Sequence, residues 1–193
     1  MNNENLEFHP LTPDRWDHFE DLFGERGAYG GCWCMWWRKT RRQFEQDGNE
    51  GNRADMRSLV EQGLVPGMLA YKRERAIGWC SIAPREQFGS LERSPVLRRL
   101  DDEPVWSLVC LFVEDEFRRE GVAEALVAAA LEYAIDQGAE IVEAYPTTSG
   151  SADLPPVTSY MGFAPLFERL GFEVCAQPSQ SKLVMRFSAR KKL

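Results

Sequence analysis

The chain has 193 residues, 44% of them hydrophobic and 27% charged, a composition that excludes bulk disorder and fibrous repeats. Its 23 Lys and Arg against 30 Asp and Glu leave a net charge of −7, which argues against nucleic-acid binding without excluding a local basic pocket for a phosphorylated ligand. There is no apolar stretch of about 18 residues to cross a bilayer, and the polar start Met1–Asn5 lacks the basic and apolar regions of a signal peptide. The expectation is one cytoplasmic domain over residues 1–193, with no membrane partner.

Leu6–Pro10 reads as a short first strand. Thr12-Pro13-Asp14 opens a helix, with Thr12 as N-cap and Pro13 in the first turn. Trp16, Phe19, Leu22 and Phe23 recur at helical spacing, and Gly24 stops the run. Arg53–Gln62 reads as a second helix, capped by Asn52 and closed by Gly63. Met68–Tyr71 and Ala76–Ile82 form a hairpin signal around Lys72-Arg73-Glu74-Arg75. After a polar stretch with a short helix expected near Val96–Leu100, Val105–Val113 is an apolar run suited to a central strand. Gly121–Gln137 is an Ala-rich helix ended by Gly138, and Ala139–Tyr145 is a strand ended by Pro146. Thr147–Pro156 reads as loop, Ser159–Leu170 as helix, and Phe172–Cys175 and Leu183–Phe187 as closing strands. The order predicts an α/β fold, a mixed sheet flanked by helices.

The five cysteines are Cys32, Cys34, Cys80, Cys110 and Cys175. Cys32-x-Cys34 lacks a zinc spacer and no second pair follows, so no metal site is expected. They read as small buried hydrophobes of a reducing compartment.

The informative stretch is Val105–Gly138: a strand, a short acidic turn, Arg118-Arg119-Glu120-Gly121-Val122-Ala123, then a helix. Gly121 permits a tight turn and close backbone approach. The helix that follows aims unpaired N–H groups and its positive dipole end back at the turn, a geometry that binds phosphate. Arg118 and Arg119 add charge. The plainer reading is that Gly121 merely starts a helix. No Gly-Lys-Ser/Thr follows, and no Gly-x-Gly-x-x-Gly is present.

Arg118-x-x-Gly121-x-Ala123 after Val113, with Phe167-Glu168-Arg169-Leu170-Gly171-Phe172 downstream, resembles the two motifs of the GNAT superfamily of acyl-CoA-dependent N-acyltransferases. The resemblance covers about Pro66–Phe187 well and the N-terminal third loosely. It implies a centrally splayed sheet in which the strand Val105–Val113 diverges from the strand near Ile141. Acetyl-CoA, the implied co-substrate, would lay its pantetheine arm in that gap along Leu111, Phe112 and Val113. The pyrophosphate would sit on the turn Arg118, Arg119, Glu120, Gly121, Val122, Ala123 and Glu124. The implied reaction is acetyl transfer to a primary amine, on a small molecule or a protein, by direct attack on the thioester. Homodimers are frequent in the family, so a homodimer is one possible assembly, and the sequence does not fix the oligomeric state.

Family members often carry a tyrosine at the position of Phe167, and that tyrosine protonates the leaving thiolate. Phe167 cannot. Tyr160, on the same expected helix, is the candidate acid, with half-buried packing as the alternative. Glu143 and Tyr145 share a strand face. Glu143 is the candidate base, with an edge or solvent position as the alternative. Trp33, Cys34 and Trp36, with Tyr145, are candidates for the acceptor pocket; core packing is the competing account. His9 and His18 read as solvated or capping groups. The missing phenol at Phe167 keeps a second function open: a catalytically silent acyl-CoA-binding or regulatory module of the same fold.

Overall fold

The computed structural model describes residues 6–148 and 160–189. Among these, seven strands form one mixed sheet: β1 (Leu6–Pro10), β2 (Gly67–Lys72), β3 (Arg75–Pro84), β4 (Trp106–Val113), β5 (Ile141–Ala144), β6 (Glu173–Ser179) and β7 (Lys182–Ser188). Their order is β1-β2-β3-β4-β5-β7-β6, and β4–β5 is the parallel pair. The helices are α1 (Trp16–Phe23), α2 (Arg41–Glu61), α3 (Gly89–Glu92), α4 (Val122–Asp136) and α5 (Ala164–Arg169).

The two sheet faces carry different cores. One packs Ile77, Cys80, Leu108, Val142 and Met185 against Leu126, Val127 and Ala130 of α4 and Phe167 of α5. On the other, Trp16, Phe19, Leu22 and Phe23 of α1 and Met56 and Val60 of α2 bury Leu69, Tyr71 and Trp79. The segment after β3 covers the rest of this second face, with Phe88, Leu91 and Leu97 over Val109 and Tyr145.

Three local readings are corrected. The second helix begins at Arg41, because Thr40 and Gln43 make a reciprocal capping box, and it bends at Gly48. Asn52 is therefore no cap: its amide accepts from Lys39 and donates to the Gly31 carbonyl, both at 2.9 Å. No helix forms at Val96–Leu100, because the Leu97 carbonyl accepts from Arg85 Nη2 at 2.7 Å, and the short helix lies earlier as α3. The helix expected from Ser159 begins at Ala164, since Phe163 is extended and Gly162 has a positive φ. The expected Thr147–Pro156 loop falls mostly outside the described residues.

At the base of the sheet Ser107 (β4), Glu143 (β5) and Arg186 (β7) stand in one cross-strand row. Glu143 Oε1 accepts from Arg186 Nε at 2.8 Å, and Oε2 accepts from Arg85 Nη1 at 3.1 Å and the Tyr145 hydroxyl at 2.7 Å. Arg85 is fully buried and also donates to Tyr145 at 2.8 Å and Glu92 at 2.5 Å. Removing one partner of a buried ion pair leaves an uncompensated charge, which costs about 3–5 kcal/mol. Arg85→Met should therefore lower unfolding free energy by about that amount in urea titration, while Arg99→Met, at a more exposed pair, should change it by less than about 1 kcal/mol.

Candidate active site

β4 follows β5 only through Trp106, Ser107 and Leu108. Its pairing with β3 then shifts between Ser81 and Ile82, which leaves Val109 as an extra residue in β4. A bulge of this kind bends its strand and re-aims side chains. Here it puts Val109 and Cys110 against the second face, whereas Leu108 and Leu111 pack on the α4 face. Alternate residues of a strand direct their backbone groups to the same side. Glu114 N–H bonds to Ile77 on the β3 side, while Leu111 N–H and the Val113 carbonyl face the gap where β5 has departed. The centrally splayed sheet is thus present, with Leu111 and Val113 presenting backbone to its cleft and Phe112 directed instead at Phe23.

The cleft ends at the turn before α4. Gly121 has φ +84°, the left-handed region that side chains resist. A Cβ there would meet nothing within 4 Å, so the turn is open on its outer side. No side chain caps α4, whose first-turn N–H groups stay available to an anion. Arg118 is committed locally: Nε donates to the Val113 carbonyl at 2.9 Å and Nη1 pairs with Asp115 at 2.8 Å. Arg119 is exposed and has no ion-pair partner among the described residues. Glu120 pairs with Lys72 and Glu124 with Arg169, so neither acid points an unpaired charge into the turn. Val122 is buried under the helix start and Ala123 is half-buried. Lys72, which pairs with Glu120 of the turn, lines an open groove of about 540 Å³ together with Arg73, Glu74, Arg75 and Phe117.

At the other end of the cleft stands Tyr160. It reaches the cleft through the turn before α5 rather than along a helix, and its carbonyl accepts from Leu111 N–H at 2.6 Å. Gly162 makes this approach possible: a Cβ there would lie 2.8 Å from Phe167 Cε2 and 3.3 Å from Leu111 Cδ1. Tyr160 packs against the same buried cluster as Trp37 and Cys110, and burial pushes its hydroxyl well above the usual phenol range.

The other sequence candidates lie elsewhere. Both oxygens of Glu143 are taken in the buried network described above, and the Tyr145 hydroxyl joins it with Ser107 at 2.7 Å. Glu143 is 1% exposed with both oxygens hydrogen-bonded, and burial raises Tyr145 far above its usual range. Trp33 is core: its ring stacks on Phe23 at 5.6 Å and its Nε1 donates to Asn49 at 2.5 Å. Trp36 is surface, 39% exposed and edge-on to Phe44. Cys34 is buried in the same cluster as Trp33 and Trp79, and Cys110 packs against that cluster. Trp79 of β3, which sequence reasoning passed over, is buried in the same cluster; no spacing marks it, because it lies 45 residues from Cys34 in the chain.

Among the described residues no helix is long and apolar enough to cross a membrane, and no group of three or more His, Cys, Asp or Glu side chains is placed to hold a metal ion. The sequence profile of the acetyltransferase (GNAT) family matches residues 16–172. No curated protein sequence matches the chain significantly. Among solved structures, mosquito arylalkylamine N-acetyltransferase like 5b is 14% identical with TM-score 0.59, covering 95% of this chain and 100% of its own. Agmatine N-acetyltransferase, in an apo form, is 13% identical with TM-score 0.58, covering 96% and 100%. The PaiA N-acetyltransferase of Thermoplasma acidophilum, in complex with coenzyme A, is 11% identical with TM-score 0.53, covering 95% and 99%. At these identities the structures share the fold, and the profile, which spans well over half of the sequence, carries the assignment: the chain belongs to the acetyltransferase (GNAT) family.

Proposed function

We propose that the chain is an acetyl-CoA-dependent N-acetyltransferase that moves the acetyl group to a primary amine, on a small molecule or a protein, by direct attack on the thioester. The observation that carries this reading is the cleft itself: a strand edge from Leu111 to Val113 that leads into the open left-handed turn at Gly121 and the uncapped start of α4. The residues fit the co-substrate. Amides of Arg119–Glu124 would hold the pyrophosphate, with Arg119 free to add charge. The edges of Leu111 and Val113 would pair with the pantetheine arm as an added strand would. Coenzyme A in the PaiA structure, and amine acetylation in the names of the arylalkylamine and agmatine enzymes, support the same reading.

Leu111 N–H is the donor best placed to hold the thioester oxygen as charge builds on it. Tyr160's carbonyl occupies that donor here, so loading exchanges one acceptor for another at the same N–H. Tyr160's hydroxyl, held protonated by burial, supplies a proton to the departing sulfur in place of the phenol that Phe167 lacks. Glu143 stays outside the proton path and anchors the sheet. Acceptor identity is tested by thiol release over an amine panel. Coenzyme A binding without thiol release from any amine would point instead to a silent binding module.

Gly121→Val should weaken acetyl-CoA binding at least about tenfold in calorimetry, because a β-branched residue resists positive φ. The fold should persist, since the added atoms meet nothing within 4 Å at Cβ. Arg119→Ala should weaken binding only a fewfold, as the amides remain. Tyr160→Phe keeps the packing and removes the acid. Steady-state kinetics should show kcat lowered about tenfold, a barrier change near 1.4 kcal/mol, with acetyl-CoA affinity unchanged.

A further inference from the structure

Five of the described arginines are at least partly withdrawn from solvent: Arg15, Arg38, Arg85, Arg99 and Arg186. Four of them touch a carboxylate. Arg15 meets Asp14 at 3.1 Å, Arg85 meets Glu143 at 3.1 Å, Arg99 meets Glu86 at 2.7 Å and Arg186 meets Asp101 at 2.6 Å. Arg38, half-buried, is the exception: among the described residues no carboxylate lies within 4.0 Å of its guanidinium. Its bonds are long and go to neutral acceptors, Gln87 Oε1 at 3.2 Å and the Pro66 carbonyl at 3.5 Å. Its Nε is buried and has no acceptor. The guanidinium carbon lies 4.5 Å from the centre of the buried Phe88 ring, so an apolar surface covers one of its faces. A cation held partly out of water calls for a counter-charge, and elsewhere the fold supplies one.

An open groove of about 380 Å³ borders Arg38. Met35, Leu59 and Leu64 are its apolar residues, and Asp55 is its one acid. That acid is already committed, since Lys39, 8% exposed, pairs with Asp55 at 2.6 Å and with Asp47 at 2.8 Å. Arg38 is therefore the charge of the groove left without a partner. The volume falls at the lower end of small-molecule sites, about 300–1,000 Å³. The groove shares no lining residue with the strand edge Leu111–Val113 or with the turn at Gly121, so it is a site apart from the acetyl-CoA cleft.

We propose that this groove binds a small organic carboxylate with an aliphatic chain. The carboxylate oxygens take N–H groups of the Arg38 guanidinium, and the chain lies on Met35, Leu59 and Leu64. The chemistry of the groove selects this class. A guanidinium is planar and donates in a fork that matches two carboxylate oxygens. Phe88 covers a face of that plane and leaves its edges as the direction of approach. The two long bonds to neutral oxygens are exchanged for charge-assisted ones, which are about twice as strong. Inorganic phosphate would leave the three apolar side chains uncovered and would bring a second negative charge toward Asp55. Nothing in the proposal depends on acyl transfer.

The test is a titration of the isotope-labelled full chain with isocaproate, read by backbone amide NMR shifts. The uncharged twin isocaproamide and inorganic phosphate serve as comparison ligands. Isocaproate should give saturable shifts at Arg38, Leu59, Leu64 and Gln87 with a millimolar midpoint, and both comparison ligands should bind at least about tenfold more weakly. Arg38→Met should weaken isocaproate at least about tenfold. Leu64→Asp, at a residue 38% exposed, should do the same by setting a negative charge on the apolar wall. Arg42→Met, at an exposed arginine four residues along, should leave the midpoint unchanged. If Arg38→Met fails to fold, Leu64→Asp and the isocaproamide comparison decide. Absence of saturable shifts overturns the site, as does equal binding of isocaproamide or an unchanged midpoint in a folded Arg38→Met chain. Shifts confined to Leu111–Glu124 overturn it by placing the carboxylate in the cleft. Phosphate that binds as tightly as isocaproate overturns the carboxylate class.

Discussion

Glu143 carries its charge where almost no water reaches, and the sheet is organised around satisfying it. Arg85 from the end of β3, Arg186 from β7 and Tyr145 from its own strand donate to the two carboxylate oxygens. A buried carboxylate tolerates little displacement of such partners. The row Ser107–Glu143–Arg186 therefore fixes β4, β5 and β7 in register at one end. Beyond that row no comparable tie joins β4 to β5. The bulge at Val109 turns β4 away, and the cleft opens where the network stops.

That cleft has two chemically distinct ends, and the bulge separates them. On the α4 face, Gly121 and the uncapped helix start form a surface for anions built from backbone, which needs no net positive charge on the protein. On the α1–α2 face, Cys110, Tyr160, Trp37 and Arg38 form a small polar island in an otherwise apolar layer. Val109 and Cys110 point to one face in succession, so Leu111 N–H lies between the two ends. An acyl group held there would face phosphate chemistry on one side and proton chemistry on the other.

Much of this was legible in the residues. The apolar run to Val113, Gly121 and the Ala-rich helix is a local pattern: a strand, a left-handed turn and a helix depend on nearest neighbours, and each sits within a residue or two of where the sequence placed it. The longer reach of α2 was legible too, in Thr40 and Gln43, but Gly48 masked it by breaking the helical period. The short helix expected at Val96–Leu100 fails for a reason no local pattern carries, since the Leu97 carbonyl is claimed by Arg85, twelve residues away.

The sequence by itself determined the order of elements, the α/β architecture and the left-handed turn at Gly121, because these follow from hydrophobic period and from the one residue type that accepts positive φ freely, while the splay of the sheet came only from the resemblance to the family. Only the tertiary structure decided which polar groups are tied into the core and which stay open. Glu143 looked like a base from its place in a strand, yet two arginines from distant segments make it an anchor. Trp33 and Trp36 looked like pocket walls, yet one is core and one is surface. Cys34 is buried in one cluster with Trp79 of β3, and Cys110 of β4 packs against that cluster. A charge, a donor or a thiol acquires its function from what faces it across the fold, and such pairings are long-range contacts that residue spacing does not record.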